Sequence, residues 1–306
     1  MAELPLIALM GPTASGKTGL ALALAEHYPV EIISVDSAQI YRGMDIGTAK
    51  VTAEQQALVP HHLIDILDPA EPYSAARFAA DAQSLIVQIR ARGRTPLLVG
   101  GTMLYFRALL DGLSALPSAD PAIRELLEAR AREQGVASLH AELQRIDPEA
   151  GARLHPNDQQ RIQRALEIHA ITGLPASEFY RREREPSMLG SVVRVGLIEL
   201  PREVLHARID RRFDEMIDGG LVDEVARLRE RVDLHPALPS VRAVGYRQIW
   251  AHLDGECDLD EAIARGKAAT RQYAKRQLTW MRSEPNLHRM DPLAPNLLDQ
   301  VRSLLS

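Results

Sequence analysis

The sequence has one cysteine, Cys257, four lysines, and aromatic residues at only 4% of its 306 positions. A single cysteine excludes a disulfide scaffold and a cysteine-cluster zinc site. His61-His62 has no partners at metal-ligand spacing. No apolar run reaches the roughly 20 residues that cross a bilayer, so no membrane partner is expected. The start, Met1-Ala2-Glu3-Leu4-Pro5, lacks a basic segment ahead of a long apolar core, which reads as no signal peptide and a cytoplasmic chain. No repeat or low-complexity segment is present. With 36 basic and 41 acidic residues the net charge is −5, which taken alone argues against a nucleic-acid binder. What remains is globular composition, 46% hydrophobic and 25% charged. The cations are 36 − 4 = 32 arginines. Arginine suits bidentate phosphate contacts, and a GC-rich genome explains the bias equally well.

The N-terminal third alternates apolar runs and helical patterns. Strands are expected at Leu4–Met10, Val30–Ser34, His62–Ile66 and Thr95–Val99, with helices over Gly19–His27 and Ser74–Arg92, the latter with an inner stripe of Phe78, Leu85, Ile86 and Ile89. Beyond Leu113 the texture is helical from Pro121 to about Arg184, with Asp120 as a cap and Pro121 in the first turn. Strand character returns at Val192–Ile198. Helices are then expected over Pro201–Ile217, Leu221–Arg229 and Asp260–Trp280, and a short amphipathic one after Pro292. The pattern predicts an α/β fold: a P-loop-type parallel sheet flanked by helices, with an inserted all-helical domain. Residues 1–112 and 190–306 would form the core with its helical C-terminal part, and 113–189 the insertion.

Gly11-Pro12-Thr13-Ala14-Ser15-Gly16-Lys17-Thr18 matches G-x-x-x-x-G-K-[ST] in full, between a strand and a helix. Such a loop curls its N–H groups around phosphate oxygens at a helix N-terminus, with Lys17 bridging the terminal phosphates. Thr18 or Ser15 would reach a magnesium ion, and Mg2+ is the expected cofactor. The loop denotes a di- or triphosphate site without naming the ligand. Asp36 lies just beyond the second strand, at the carboxyl edge where parallel sheets place ligands. Two readings are open for it: a base or metal ligand facing the phosphate, or a turn cap. Between Ala262 and Ser283 stand six cations and no acid: Arg265, Lys267, Arg271, Lys275, Arg276 and Arg282. Arg271, Lys275 and Arg282 share a helix face, with Tyr273 and Trp280 interleaved. This reads either as a single-strand RNA surface or as a solvated face with Trp280 in the core.

The phosphate loop together with Asp36-Ser37-Ala38-Gln39-Ile40-Tyr41-Arg42-Gly43-Met44-Asp45-Ile46-Gly47-Thr48-Ala49-Lys50 resembles the bacterial tRNA dimethylallyltransferases. So do residues 99–105, Asp158–Glu167, Val244–Gln248 and Thr270–Trp280, in order along nearly the whole chain. The resemblance implies transfer of a dimethylallyl group from dimethylallyl diphosphate to N6 of adenosine 37, beside the tRNA anticodon. It implies that the loop holds the diphosphate, that Asp36 is the general base, and that Thr102 hydrogen-bonds near the same centre. Arg208 is a candidate diphosphate contact, with an exposed helix cation as the alternative. For the anticodon stem-loop the resemblance singles out Asp36, Ser37, Ala38, Gln39 and Thr102. In the insertion it adds Arg124, Gln160, Arg161, Ile162, Gln163 and Arg164. The C-terminal part contributes Val241, Arg242, Ala243, Val244, Gly245 and Tyr246, then Lys275, Arg276, Gln277, Leu278, Thr279, Trp280, Met281 and Arg282. A monomer is expected. Rival readings are a small-molecule or nucleoside kinase, a prenyltransferase of free adenosine nucleotides, and a non-catalytic RNA-binding protein.

Overall fold

The computed structural model describes residues 5–112, 116–181 and 189–305. Leu4, Leu113 and the stretch around Arg184, which bounded expected elements, lie outside the described residues. Two compact units divide the chain: Met1–Leu110 with Met188–Ser306, and Asp111–Ser187.

The first unit is built on six strands: β1 (Leu6–Met10), β2 (Val30–Val35), β3 (His61–His62), β4 (Thr95–Gly100), β5 (Val192–Leu197) and β6 (Leu287–Met290). They pair in the order β3-β2-β4-β1-β5-β6, every pair parallel. All residues of β1 and β2 are buried, as expected for strands covered on both faces. Ile7 and Leu9 pack on one side with Leu20 and Leu24 of α1 (Lys17–Ala25). Leu6, Ala8 and Met10 pack on the other with Phe78, Ile86 and Ile89. Between β2 and β5 the chain forms α2 (Ala53–Leu58), α3 (Ala75–Ala91) and α4 (Met103–Leu110), followed by the five helices of the second unit.

Two strand expectations need correction. The third strand is only His61–His62, not His62–Ile66. Leu63 (φ 61°) and Asp65 (φ 55°) adopt left-handed backbone, which a strand cannot continue through. β6 escaped the sequence reading because it is a four-residue edge strand with two exposed residues, too short and too wet to stand out as apolar.

The second unit holds α5 (Pro121–Gln134), α6 (Val136–Ile146), α7 (Pro148–Arg153), α8 (Gln159–Thr172) and α9 (Ala176–Arg181). Leu127, Leu139, Leu143, Ile162, Leu166 and Phe179 form its core. Asp120 caps α5 with Pro121 in the first turn, and Asp158 caps α8. Back in the first unit, α10 (Arg202–Asp218), α11 (Leu221–Arg229), α12 (Tyr246–Leu253) and α13 (Leu259–Arg282) share a cluster that includes Phe213, Leu221, Val225, Tyr246 and Ile249. α14 (Leu297–Ser303) returns Val301 to the α1 face of the sheet. No helix among the described residues is long and apolar enough to cross a membrane.

Candidate active site

A cavity of about 430 Å3 opens at the carboxyl edge of the sheet, between the phosphate loop and α10 and α13. The loop leaves β1 and enters α1 at Gly16, whose φ of 94° suits glycine and lets Lys17 begin the helix. Thr13, Lys17 and Thr18 line the cavity. The α1 N-terminus has no side-chain cap, so its donors stay available to an anion. Lys17 folds back, donating from Nζ to the Pro12 carbonyl at 2.8 Å. Burial and the neighbouring Arg212 bring its pKa down to about 7, against the pull of Asp36. Ser15 is fully buried and its hydroxyl has no hydrogen-bond partner.

Asp36 caps its own turn and also lines the cavity. Its Oδ1 accepts the amides of Ala38 (2.8 Å) and Gln39 (3.3 Å), an Asx turn. Its Oδ2 has no partner among the described residues, and the side chain lines the cavity with Ser37, Ala38 and Gln39. Thr102 is half-buried just past β4. Its Oγ1 accepts the Ser37 amide at 3.2 Å, and its own amide donates to the Val35 carbonyl, so it braces the Asp36 turn rather than lining the cavity. Tyr273 does line it. Burial and the negative Asp36 push its phenol up to about 12, which leaves it protonated at neutral pH.

Two side chains that shape the site lay outside the sequence reading in these roles. Gln277, singled out for RNA, is buried and joins the phosphate loop to the end of β4. Its Oε1 accepts the Thr13 amide (3.0 Å) and its Nε2 donates to the Gly101 carbonyl (2.9 Å). Arg212 is the other. Arg208 is not among the residues lining the cavity, whereas Arg212, one turn further along α10, lines it beside Ile209 and Phe213. Burial lowers the Arg212 guanidinium from its ordinary value, and Asp36 opposes that shift. The stripe Leu205, Ile209, Phe213 marks the inner face of α10. Following that stripe inward from Arg208 was the available signal.

The RNA candidates separate by exposure. Gln160 and Arg161 are exposed on α8, while Ile162 is core and Gln163 is half-buried with its Nε2 unpartnered. Arg124 and Arg164 are both held by Glu167, at 3.0 and 2.6 Å, and Arg164 also donates to the Pro117 carbonyl. Val241 and Tyr246 are buried, Arg242, Ala243 and Val244 line the cavity, and Gly245 caps α12 with φ 94°. On α13, Lys275, Arg276, Thr279 and Arg282 are exposed, Leu278 and Trp280 are half-buried, and Met281 is core. Ile162, Val241, Tyr246 and Met281 are buried, so their side chains are not offered to a surface contact.

The acid-free window is not acid-free in space. Arg271 pairs with Asp210 (2.5 Å) and Lys267 with Asp214 (2.6 Å), both on α10, and Arg265 with Glu261 (2.5 Å). The expected face of Arg271, Lys275 and Arg282 thus loses its first member. Lys275, Arg276 and Arg282 make no ion pair among the described residues. Arg276 lies over the Tyr273 ring at 5.8 Å, and Arg107 over Trp280 at 4.9 Å.

Comparison with known proteins bears on this arrangement. The family model described as IPP transferase matches residues 39–284, and that of isopentenyl transferase residues 4–62. The tRNA dimethylallyltransferase of Ralstonia pickettii is 57% identical over 98% of this chain and 94% of its own length. That of Bordetella petrii is 57% identical over 99% and 98%. The crystal structure of the full-length tRNA isopentenylpyrophosphate transferase from Bacillus halodurans aligns with a TM-score of 0.71 at 43% identity, covering 98% of this chain and 95% of that one. A eukaryotic dimethylallyltransferase acting on tRNA aligns with a TM-score of 0.81 at 27% identity, covering 98% and 77%. With the sheet, the phosphate loop and Asp36 at its edge already in place, this chain belongs to the IPP transferase family.

Proposed function

We propose that this chain transfers a dimethylallyl group from dimethylallyl diphosphate to N6 of adenosine 37 of tRNA and releases diphosphate. The observation that carries this reading is Lys17 of the phosphate loop and Asp36 lining one cavity, with the charge of Asp36 acting on Lys17. The loop amides, Lys17 and Arg212 hold the diphosphate. The bond from the allylic carbon to the bridging oxygen breaks, and its electron pair leaves on diphosphate. N6 forms the new bond to that carbon, and its proton passes to Asp36 Oδ2. Thr102 keeps the Asp36 turn in place through the Ser37 amide, and the protonated Tyr273 adds a donor to the wall.

The residues present fit magnesium. Ser15 leaves a buried hydroxyl without a partner, and Thr18 adds a second hydroxyl at the cavity. No group of three His, Cys, Asp or Glu among the described residues forms a protein-only cage. Thr18 and Ser15 would hold the ion, with phosphate oxygens and water as the remaining ligands, and it would neutralise charge building on the leaving diphosphate. Exposed Gln160 and Arg161 of the insertion, and Lys275, Arg276 and Arg282 of α13, are the contacts we assign to the anticodon stem-loop. The tRNA substrate puts the reaction in the cytoplasm, and a single copy of the chain carries every residue invoked. The test is incubation with labelled dimethylallyl diphosphate, tRNA and AMP, with and without magnesium. Label on tRNA alone, dependent on magnesium, is expected. Label only on AMP, or phosphate transfer from ATP instead, overturns the reading.

A further inference from the structure

Glu224 lies on α11 and is only 3% exposed, yet it faces no cation among the described residues. It accepts four hydrogen bonds instead. Oε2 takes the amides of Asp45 (2.9 Å) and Ile46 (2.8 Å). Oε1 takes the Gly47 amide (3.1 Å) and the Tyr246 hydroxyl (2.5 Å). Burial and the adjacent Glu224 push the Tyr246 phenol far up, so it stays a donor. The same ring closes on the loop sterically. A Cβ on Gly47 would lie 2.5 Å from a Tyr246 ring carbon.

Both segments that Glu224 holds run into the cavity lining. On one side, Gly47 and Thr48 line the cavity, and the carbonyls of Thr48 and Ala49 accept Gln39 Nε2 at 3.3 and 3.4 Å. Gln39 in turn donates its amide to Asp36 Oδ1. On the other side, Tyr246 follows Gly245 and the segment Arg242-Ala243-Val244, which also lines the cavity. One carboxylate therefore fixes both the loop that steadies Asp36 and the segment that brings Arg242, Ala243 and Val244 to the same cavity.

We propose that Glu224 is a positioning residue for prenyl transfer, tying the 45–49 loop to the start of α12 so that Asp36 and the acceptor-side wall keep their registry. This rests on the function proposed above. Glu224 touches neither the phosphate loop nor Lys17, so its loss should spare donor binding and slow the chemical step. Misplacement by about 1 Å at a reacting centre costs on the order of 100-fold.

The test is Glu224→Gln, which keeps the volume but turns an NH2 toward backbone donors. Active sites are counted by binding of a non-reactive diphosphate analogue, and kcat is expressed per site. We expect kcat to fall about 10- to 100-fold, KM for dimethylallyl diphosphate to stay within about twofold, and amide exchange at residues 45–47 to quicken. A purely structural role would lower the number of active sites and leave kcat per site alone. That result, or unchanged exchange at 45–47, overturns the proposal. Should Glu224→Gln not fold, Tyr246→Phe decides the matter, since it keeps the three backbone bonds and removes only the tie between walls. It should lower kcat about 3- to 10-fold with KM unmoved, and a wild-type kcat overturns the tie. If the wild-type protein transfers no label to tRNA, the proposed function fails instead, and the exchange measurement still judges Glu224.

Discussion

Glu167 and Glu224 are both buried helical carboxylates with several donors, but the donors differ in kind. Glu167, in the helical unit, takes two arginines and the Asp120 amide. Glu224, in the sheet unit, takes three loop amides and a phenol, and no arginine. The first consumes cations that the sequence offers to RNA, and so clamps the start of α5 against α8. The second consumes backbone donors, and so dictates the path of a loop. Asp36 is the third case, a half-buried carboxylate with one oxygen committed to its turn and the other left to the cavity. Of the three, only Asp36 keeps an acceptor site that the fold does not fill.

The sharpest way to break this comparison is Asp36→Ala. Loss of the carboxylate, turn acceptor and uncommitted oxygen together, should lower transfer by about 1,000-fold in single-turnover assays, while diphosphate affinity stays within about twofold. Near-normal turnover would remove Asp36 from the chemistry. Glu167→Gln should act on stability instead. An NH2 in place of one oxygen takes the acceptor from either Arg164 or the Asp120 amide and costs about 2 kcal/mol, read as earlier unfolding and faster proteolysis within residues 116–181, with diphosphate binding unchanged. Stability equal to wild type would mean that the clamp is ornamental.

The Lys17 titration tests the phosphate side. In the free site its pKa is lowered to about 7, so it loses its proton as pH rises through that value. Phosphate oxygens favour the ammonium form, so binding takes up a proton above about pH 7. Diphosphate affinity should be greatest below pH 7 and fall by up to about tenfold per pH unit above it. Calorimetry in buffers of different ionisation enthalpy measures the uptake, and an affinity flat from about pH 6.5 to 8.5 would refute it. The smallest effect belongs to α13. Lys275→Ala or Arg282→Ala should weaken tRNA binding about 3- to 10-fold and flatten its salt dependence by roughly 0.7 to 1 in log–log slope. Arg271→Ala, whose charge is already matched by Asp210, should change the slope much less. Equal slopes for all three would restore the unbroken basic face.

What could be read from the sequence follows from distance along the chain. The phosphate loop packs its backbone geometry and its lysine into eight consecutive residues, so pattern alone finds it. The buried strands announce themselves as apolar runs, and β1, β2, β4 and β5 fall within a residue or two of their expected bounds. Asp36 is readable as an acid at a strand end. Gln277 is not readable as a brace, because its partners lie 264 and 176 residues away. Glu224 reaches its loop across 177 to 179 residues and looks, in sequence, like any acid in the first turn of a helix. The basic window misled for the same reason. Its neutralising acids, Asp210 and Asp214, sit on a different helix.

The contact between Gly47 and the Tyr246 ring has an evolutionary consequence. Any side chain at 47 collides with the aromatic at 246, and a smaller residue at 246 abandons Glu224's fourth donor. Neither position can drift alone. In lineages that descend from this chain, the absent side chain and the phenol should be kept together or replaced together, as one inherited trait written at two places.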